Sequence, residues 1–237
     1  YGTVFFTEQM LAAAGKGISG RRVVASGSGN VAIYAAAKAA EMGAQVVACS
    51  DSSGYVVDEA GLDIDLLRRV KEVDRARISA YAEEREGARY VEGGDVWEVA
   101  CEVALPCATQ NELDAGAATT LVENGVLAVA EGANMPCTPE AVDVFQKGGV
   151  LFAPGKAANA GGVATSALEM QQKASRDSWT AQHTEERLHQ IMAGIHESCA
   201  TSAEEYGTPG DYVAGANIAG FRRVADAMPA LLTVTSR

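Results

Sequence analysis

The stretch VVASGSGNVA, residues 23–32, narrows the possible folds more than any other part of the chain. An apolar run of strand length passes through a glycine turn straight into the helix-forming run NVAIYAAAKAAEM. In the pattern Gly27-x-Gly29-x-x-Ala32, the first glycine permits a sharp turn. The second lets backbone N–H groups approach a pyrophosphate, and the alanine lets helix and strand pack closely. The helix N-terminus adds partial positive charge at the same point. Any tight strand-to-helix turn favours glycine, so the motif gains its meaning from context. A second strand over residues 45–49 leads to Asp51, about twenty residues downstream, where a ribose-reading carboxylate is expected.

The rest of the chain repeats that alternation. Residues 1–15 carry apolar side chains at Val4, Phe5, Met10 and Leu11 and end in Gly15, the pattern of a helix with a glycine stop. Residues 51–61, DSSGYVVDEAG, read as a loop or small hairpin. Residues 63–86 are charged and helix-prone, with Leu66, Leu67, Val70, Ile78 and Tyr81 as the inner stripe. The runs ARYV, CEVALP, VLAVAEG and VLFAPG are β-rich. Two helix-like segments, LDAGAATTLVENG and TPEAVDVFQKGG, separate the last three, each opening on a cap-like residue and closing at glycine. Such alternation predicts an α/β fold, a doubly wound, Rossmann-like, mostly parallel sheet covered on both faces with right-handed crossovers. From Gly161 the strands stop, and residues 163–173, 185–206 and 212–228 read as helices. The expected division is a dinucleotide-binding domain over residues 1–170 and a C-terminal helical extension over 171–237.

Composition excludes several function classes. With 19 basic against 31 acidic residues, the net charge of −12 repels nucleic-acid backbones and anionic membrane surfaces. No apolar stretch is long enough to span a bilayer. The five cysteines form no C-x-x-C pair, which points to a reducing cytoplasm. His183, His189 and His196 lack the i, i+4 spacing of a zinc helix and are expected to be solvated or packed, so no metal is expected. Cys107 ends a strand with no histidine near it in sequence and is read as a structural thiol. Met135, Met170 and Met192 are core or interface candidates.

Three further places invite a ligand. Asp51 would favour an unmodified adenosine ribose, whereas Ser52 and Ser53 with Lys71 or Arg75 could receive a 2′-phosphate, so the residues alone leave NAD and NADP open. Asn134, in EGANMP after a strand, offers an amide donor and acceptor at the carboxyl edge of the sheet. In APGKAANAGGVATSALEM, Asn159 is expected to cap a helix whose first turn holds Gly161 and Gly162, with Thr165 and Ser166 one turn later. Paired glycines there suggest close approach of another molecule, or else a helix crossing.

In order and spacing, SGSGNVA, SDSSGYVVDE, LPCATQNELD, VAEGANMP, LFAPGKAANAGGVATS and GANIAGFRRVADAM resemble the C-terminal cofactor domain of the NADP-specific hexameric glutamate dehydrogenases, within the glutamate, leucine, phenylalanine and valine dehydrogenase family. The resemblance implies interconversion of L-glutamate with 2-oxoglutarate and ammonia, using NADP rather than NAD. By the same resemblance, Gly27, Gly29 and Ala32 hold the pyrophosphate, with Ser28, Asn30 and Val31 also on the cofactor. Asp51, Ser52 and Lys71 read the 2′-phosphate. Ala108, Thr109 and Gln110 border the ribose, Gly132 joins the cofactor site, and Asn134 and Asn159 meet the nicotinamide half. Val163 and Ser166 fall where the substrate is recognised. The resemblance places the lysines and the aspartate that perform the chemistry in a preceding substrate domain, so this chain by itself is expected to be inactive. A hexamer is expected of the full-length protein. Two alternatives stay open, a relative acting on leucine, valine or phenylalanine, and a nucleotide-sensing module without chemistry.

Overall fold

The computed structural model describes residues 1–234. Seven strands form one sheet in the order β4-β3-β2-β1-β5-β6-β7. The strands are β1 (Arg22–Ala25), β2 (Gln45–Asp51), β3 (Gly54–Val57), β4 (Arg89–Glu92), β5 (Val103–Leu105), β6 (Ala128–Ala130) and β7 (Leu151–Ala153). β2, β1, β5, β6 and β7 run parallel, while at one edge β3 pairs antiparallel with β2 and β4 antiparallel with β3. The predicted doubly wound architecture is therefore present, and the segment read as a loop or small hairpin is the hairpin β2–β3, closed by the pair Asp51 and Gly54 around Ser52 and Ser53.

Alternation along each strand sorts side chains between two cores. Val23, Ala25, Leu105 and Ala130 face a core shared with α1 (Gly2–Ala13) and α2 (Asn30–Glu41); Val24, Ala104, Val129 and Phe152 face the other, under α5 (Ala115–Glu123) and α6 (Pro139–Lys147). Burial on both faces is why these strands read as continuous apolar runs rather than alternating ones. The covering helices begin where the sequence provides caps. Asp114 accepts from the Ala117 N–H at 3.0 Å, and Thr138, followed by Pro139, accepts from the Ala141 N–H at 3.3 Å.

One expected helix is broken. Residues 63–86 divide into α3 (Ile64–Arg68), a π-helical turn (Arg69–Val73) and α4 (Ser79–Glu84), with Arg75 at φ 52° between them. The cause is tertiary: Asp51 accepts from the Ile78 N–H at 3.0 Å, and the Lys71 ammonium donates to the Ala76 carbonyl at 2.8 Å. The apolar stripe is still used, since Leu67, Val70, Ile78 and Tyr81 are buried.

A four-residue helix, α7 (Gly155–Ala158), precedes α8 (Gly161–Ser175), α9 (Ala181–Glu205) and α10 (Tyr212–Val234). The expected division at 170/171 lies inside α8. α1 packs on α9, and His196 of α9 sits edge-on to Phe6 with its Nε2 3.0 Å from the Tyr212 hydroxyl. His189 pairs with Glu8 at 2.8 Å, and His183 stands edge-on to Trp179. Met192 is buried, but Met135 and Met170 are exposed. Among the described residues no helix is long and apolar enough to cross a membrane, and no cluster of side chains is arranged to hold a metal.

Candidate cofactor site at the switch point

β1 lies between β2, which follows it in the chain, and β5, which comes much later, so the connections diverge from it in opposite directions. In open α/β sheets ligands bind in the crevice at the carboxyl ends of the strands at such a point. The glycine turn leaves β1 there and is stitched to both neighbours. The Gly27 N–H donates to Ser50 Oγ of β2 at 2.8 Å, and Ser26 Oγ accepts from the Cys107 N–H beyond β5 at 2.8 Å.

The two glycines have different reasons to be glycine. Gly27 sits at φ 81°, and a Cβ on it would lie 3.1 Å from the Cα and Cβ of Ala108. Gly29 is extended, at φ −87° and ψ −174°, and a Cβ on it would meet nothing within 4 Å. It is the N-cap of α2 and offers no side-chain cap, so the N–H groups of the first turn have no intrahelical partner. Ser28 is buried, whereas Asn30 and Val31 are exposed at the mouth of the turn.

Asp51 proves to be occupied. Oδ1 accepts from the N–H and the hydroxyl of Ser53 at 2.8 and 2.6 Å, Oδ2 accepts from the Ile78 N–H, and the Lys71 ammonium lies 3.6 Å away. Burial by itself would raise the carboxyl pKa, but the hydrogen bonds from Ser53 and Ile78, helped by Lys71, hold it below the ordinary value. Ser52 instead accepts from Arg77 Nη1 at 2.7 Å. Arg75, considered from sequence as the alternative cation, makes no such contact. Arg77 reaches Ser52 only because the helical pattern breaks ahead of it, and nothing in the local sequence signals that break.

On the other side of the glycine turn, nine of the expected residues line one open groove of about 600 Å³: Val31, Ala108, Thr109, Gln110, Gly132, Asn134, Asn159, Val163 and Ser166. Asp51, Ser52 and Lys71 lie outside it, at the end of β2. Asn159 ends α7 and does not cap α8. Its Nδ2 donates to Asn134 Oδ1 at 2.8 Å and to the Ala133 carbonyl at 3.2 Å, joining two loops across the groove. The paired glycines divide between the two expectations. A Cβ on Gly161 would come 2.7 Å from the Gly2 Cα, so this glycine permits α1 and α8 to cross, whereas Gly162 opens onto space. Thr165 and Ser166 donate to the carbonyls of Gly161 and Gly162 at 2.8 and 3.2 Å.

Cys107 also lines the groove, 6% exposed, and burial pushes its thiol up to about 12. It packs so closely that a Cβ on Gly132 would come 2.5 Å from its sulfur. Glu131, not singled out from sequence, lies buried behind the two asparagines; the signal for it was its place inside EGANMP.

These residues suit a dinucleotide. The turn has uncapped N–H groups and clear space over Gly29, and the groove beside it offers amide donors and acceptors.

A glycine turn at the switch point of a doubly covered parallel sheet, with such a groove next to it, marks the class of α/β nucleotide-binding domains. Within that class the chain belongs to the Glutamate/Leucine/Phenylalanine/Valine dehydrogenase family, whose model matches residues 1–231. It is 57% identical to the NADP-specific glutamate dehydrogenase of Escherichia coli over 231 residues, 96% of this chain and 51% of that protein. It is 48% identical to the NAD-specific glutamate dehydrogenase of Bacteroides fragilis, covering 96% of this chain and 52% of that one. Among solved structures, a Plasmodium falciparum glutamate dehydrogenase superposes with a TM-score of 0.95 at 39% identity, over 98% of this chain and 50% of that one. The chain thus spans about half the length of the curated relatives it matches.

Proposed function

We propose that this polypeptide is the NADP(H)-binding part of a glutamate dehydrogenase, which deaminates L-glutamate oxidatively to 2-oxoglutarate and ammonia and runs the reverse amination. The observation that carries the reading is the convergence of the glycine turn, Ala108–Gln110, the Asn134–Asn159 pair and the Val163–Ser166 face of α8 on one switch point. The N–H groups at Gly29 and the first turn of α2 hold the pyrophosphate. The residues of the β5 exit loop border the ribose, and the two asparagines orient the nicotinamide. The nicotinamide, when bound, supplies hydride exchange with the amino-acid carbon. Val163 and Ser166 form the substrate side of the groove, where the Ser166 hydroxyl suits a distal carboxylate better than an apolar side chain, which favours glutamate over leucine or valine.

NADP is favoured over NAD because Asp51 has both oxygens engaged internally, while Ser52 with Arg77 presents a hydroxyl and a cation. Lys71 adds charge from the same side. Relatives carry names specifying either cofactor, so the choice rests on these side chains.

Among the described residues the groove lining contains no lysine, histidine, aspartate or glutamate, and Cys107, the one ionisable group among them, stays protonated at neutral pH. No described group in that lining can take a proton from a substrate amine, and the family resemblance assigns the step to residues of a preceding substrate domain. The hexameric assembly proposed for the full-length protein rests on the family resemblance. The five cysteines, all buried and unpaired, support a cytoplasmic location.

Isothermal titration of the 237-residue chain with NADPH and NADH, beside an assay with 2-oxoglutarate and ammonium, tests the reading. Binding with a preference for NADPH and no turnover is expected. Absence of binding to either dinucleotide refutes it, and turnover by this chain alone refutes the assignment of proton transfer.

A further inference from the structure

Glu131 is 6% exposed, and among the described residues no lysine, arginine or histidine forms an ion pair with it. Both carboxylate oxygens are used by backbone. Oε1 accepts from the Cys137 N–H at 3.1 Å and Oε2 from the Gly155 N–H at 2.6 Å. The first donor closes the loop that carries Asn134. The second opens α7, the turn that ends in Asn159. These are the two asparagines that meet across the groove.

Crowding around Gly155 shows how tightly the unit is built. A Cβ there would lie 3.1 Å from the Ala133 carbonyl oxygen, 3.3 Å from Glu131 Oε2 and 3.4 Å from Asn159 Nδ2. The loop is also fixed from its other side, where the N–H groups of Gly132 and Ala133 donate to the Pro106 carbonyl at 2.8 and 3.0 Å. A buried carboxylate without a cation is costly unless several donors satisfy it. An apolar side chain here would leave the Cys137 and Gly155 N–H groups without their acceptor, so the carboxylate ties the two segments to each other.

We propose that Glu131 is a positioning residue for the nicotinamide half of the site, its carboxylate clamping the Asn134 loop to α7 so that Asn134 and Asn159 are held as one hydrogen-bonded pair. The proposal rests on the cofactor reading above. Glutamine at this position keeps the shape but turns one acceptor into a donor facing a backbone N–H, which loosens one side of the clamp. Among the described residues, the hydrogen bonds of the Glu131 carboxylate go to Cys137 and Gly155 and none reaches the ends of β1 and β2, where the adenosine half lies.

The test compares NADPH with adenosine 2′,5′-bisphosphate, its adenosine half, by isothermal titration of wild type and Glu131→Gln, with circular dichroism to verify folding. Wild type binding neither ligand refutes the cofactor reading itself. Given wild-type binding, Glu131→Gln should weaken NADPH about tenfold while leaving the bisphosphate within about twofold, a loss of roughly 1.4 kcal/mol confined to the nicotinamide half. Equal losses for both ligands, or none, overturn the clamp. In an Asn159→Ala background the same substitution should add less than about twofold, because the pair it positions is already gone; an undiminished tenfold loss also overturns it. Should Glu131→Gln not fold, Glu131→Asp carries the comparison, and failure of both to fold overturns the proposal by making Glu131 a determinant of folding.

Discussion

Alanine at Gly27 and alanine at Gly29 should have opposite effects, one on the fold and the other on the ligand. At Gly27 the φ of 81° imposes a left-handed conformation that costs an L side chain about 1–2 kcal/mol. A Cβ 3.1 Å from two Ala108 carbons adds up to about 1 kcal/mol of crowding. A total near 2 kcal/mol lowers the melting temperature of a chain this size by about 4–8 °C. At Gly29 the backbone is extended and the space empty. Alanine is the poorer N-cap by up to about 1 kcal/mol, and the gain from a stiffer unfolded chain, about 0.4–1 kcal/mol, nearly cancels that. Gly29→Ala should therefore melt within about 2 °C of wild type. Its methyl group, however, fills the space a pyrophosphate needs, and losing charge-assisted hydrogen bonds worth at least about 2 kcal/mol weakens NADPH about thirtyfold. Differential scanning fluorimetry and isothermal titration on the same samples read both quantities. Wild-type affinity in Gly29→Ala would remove the pyrophosphate from this turn, and an unchanged melting point in Gly27→Ala would refute the strain argument.

Arg77→Ala should weaken NADPH about tenfold and leave NADH within about twofold, since an exposed cation that meets a 2′-phosphate has nothing to lose against a free ribose; equal losses in competitive titration would place the 2′-phosphate elsewhere. Lys71→Ala, by contrast, removes the cation beside the buried Asp51 and should lower the melting temperature as well as erode the preference. His196 is held below its ordinary pKa by burial, so the folded state resists the proton that the unfolded state accepts near pH 6.5. Its stabilising contribution is complete above about pH 6.5 and is lost as pH falls toward the folded value. Melting curves at pH 7.5 and 5.5 should show that loss in wild type and a flatter profile in His196→Gln, and parallel profiles would show that other groups carry it.

Strand positions and the doubly covered sheet were legible because burial on both faces writes continuous apolar runs, and the inner residues of α1 were legible from their helical spacing. Residues 63–86 misled because their apolar stripe is truly helical in period; the break comes from Asp51, which takes the Ile78 N–H from a position far away in sequence. Asn159 misled for the related reason that an Asn before two glycines makes a good local cap, while its amide has a better partner in Asn134. The groove residues could be named because several motifs resemble those of one family. Arg77 and Glu131 could not, since one acts through a chain reversal and the other from beneath the surface.

The place of β1 at the switch point also governs the order in which the molecule can assemble. The contact from Ser26 to Cys107 spans 81 residues, so the strand bearing the glycine turn emerges from synthesis long before its second neighbour exists. Until β5 arrives, an apolar strand of the sheet's middle is an open edge, the element most prone to pair with a foreign chain. Parallel pairing across such separations is intrinsically slow. A nucleotide that binds across β1 and β5 therefore acts only after the crossover that brings β5 beside β1 has closed, and excess NADPH should raise the yield of refolded chain more than it raises the refolding rate.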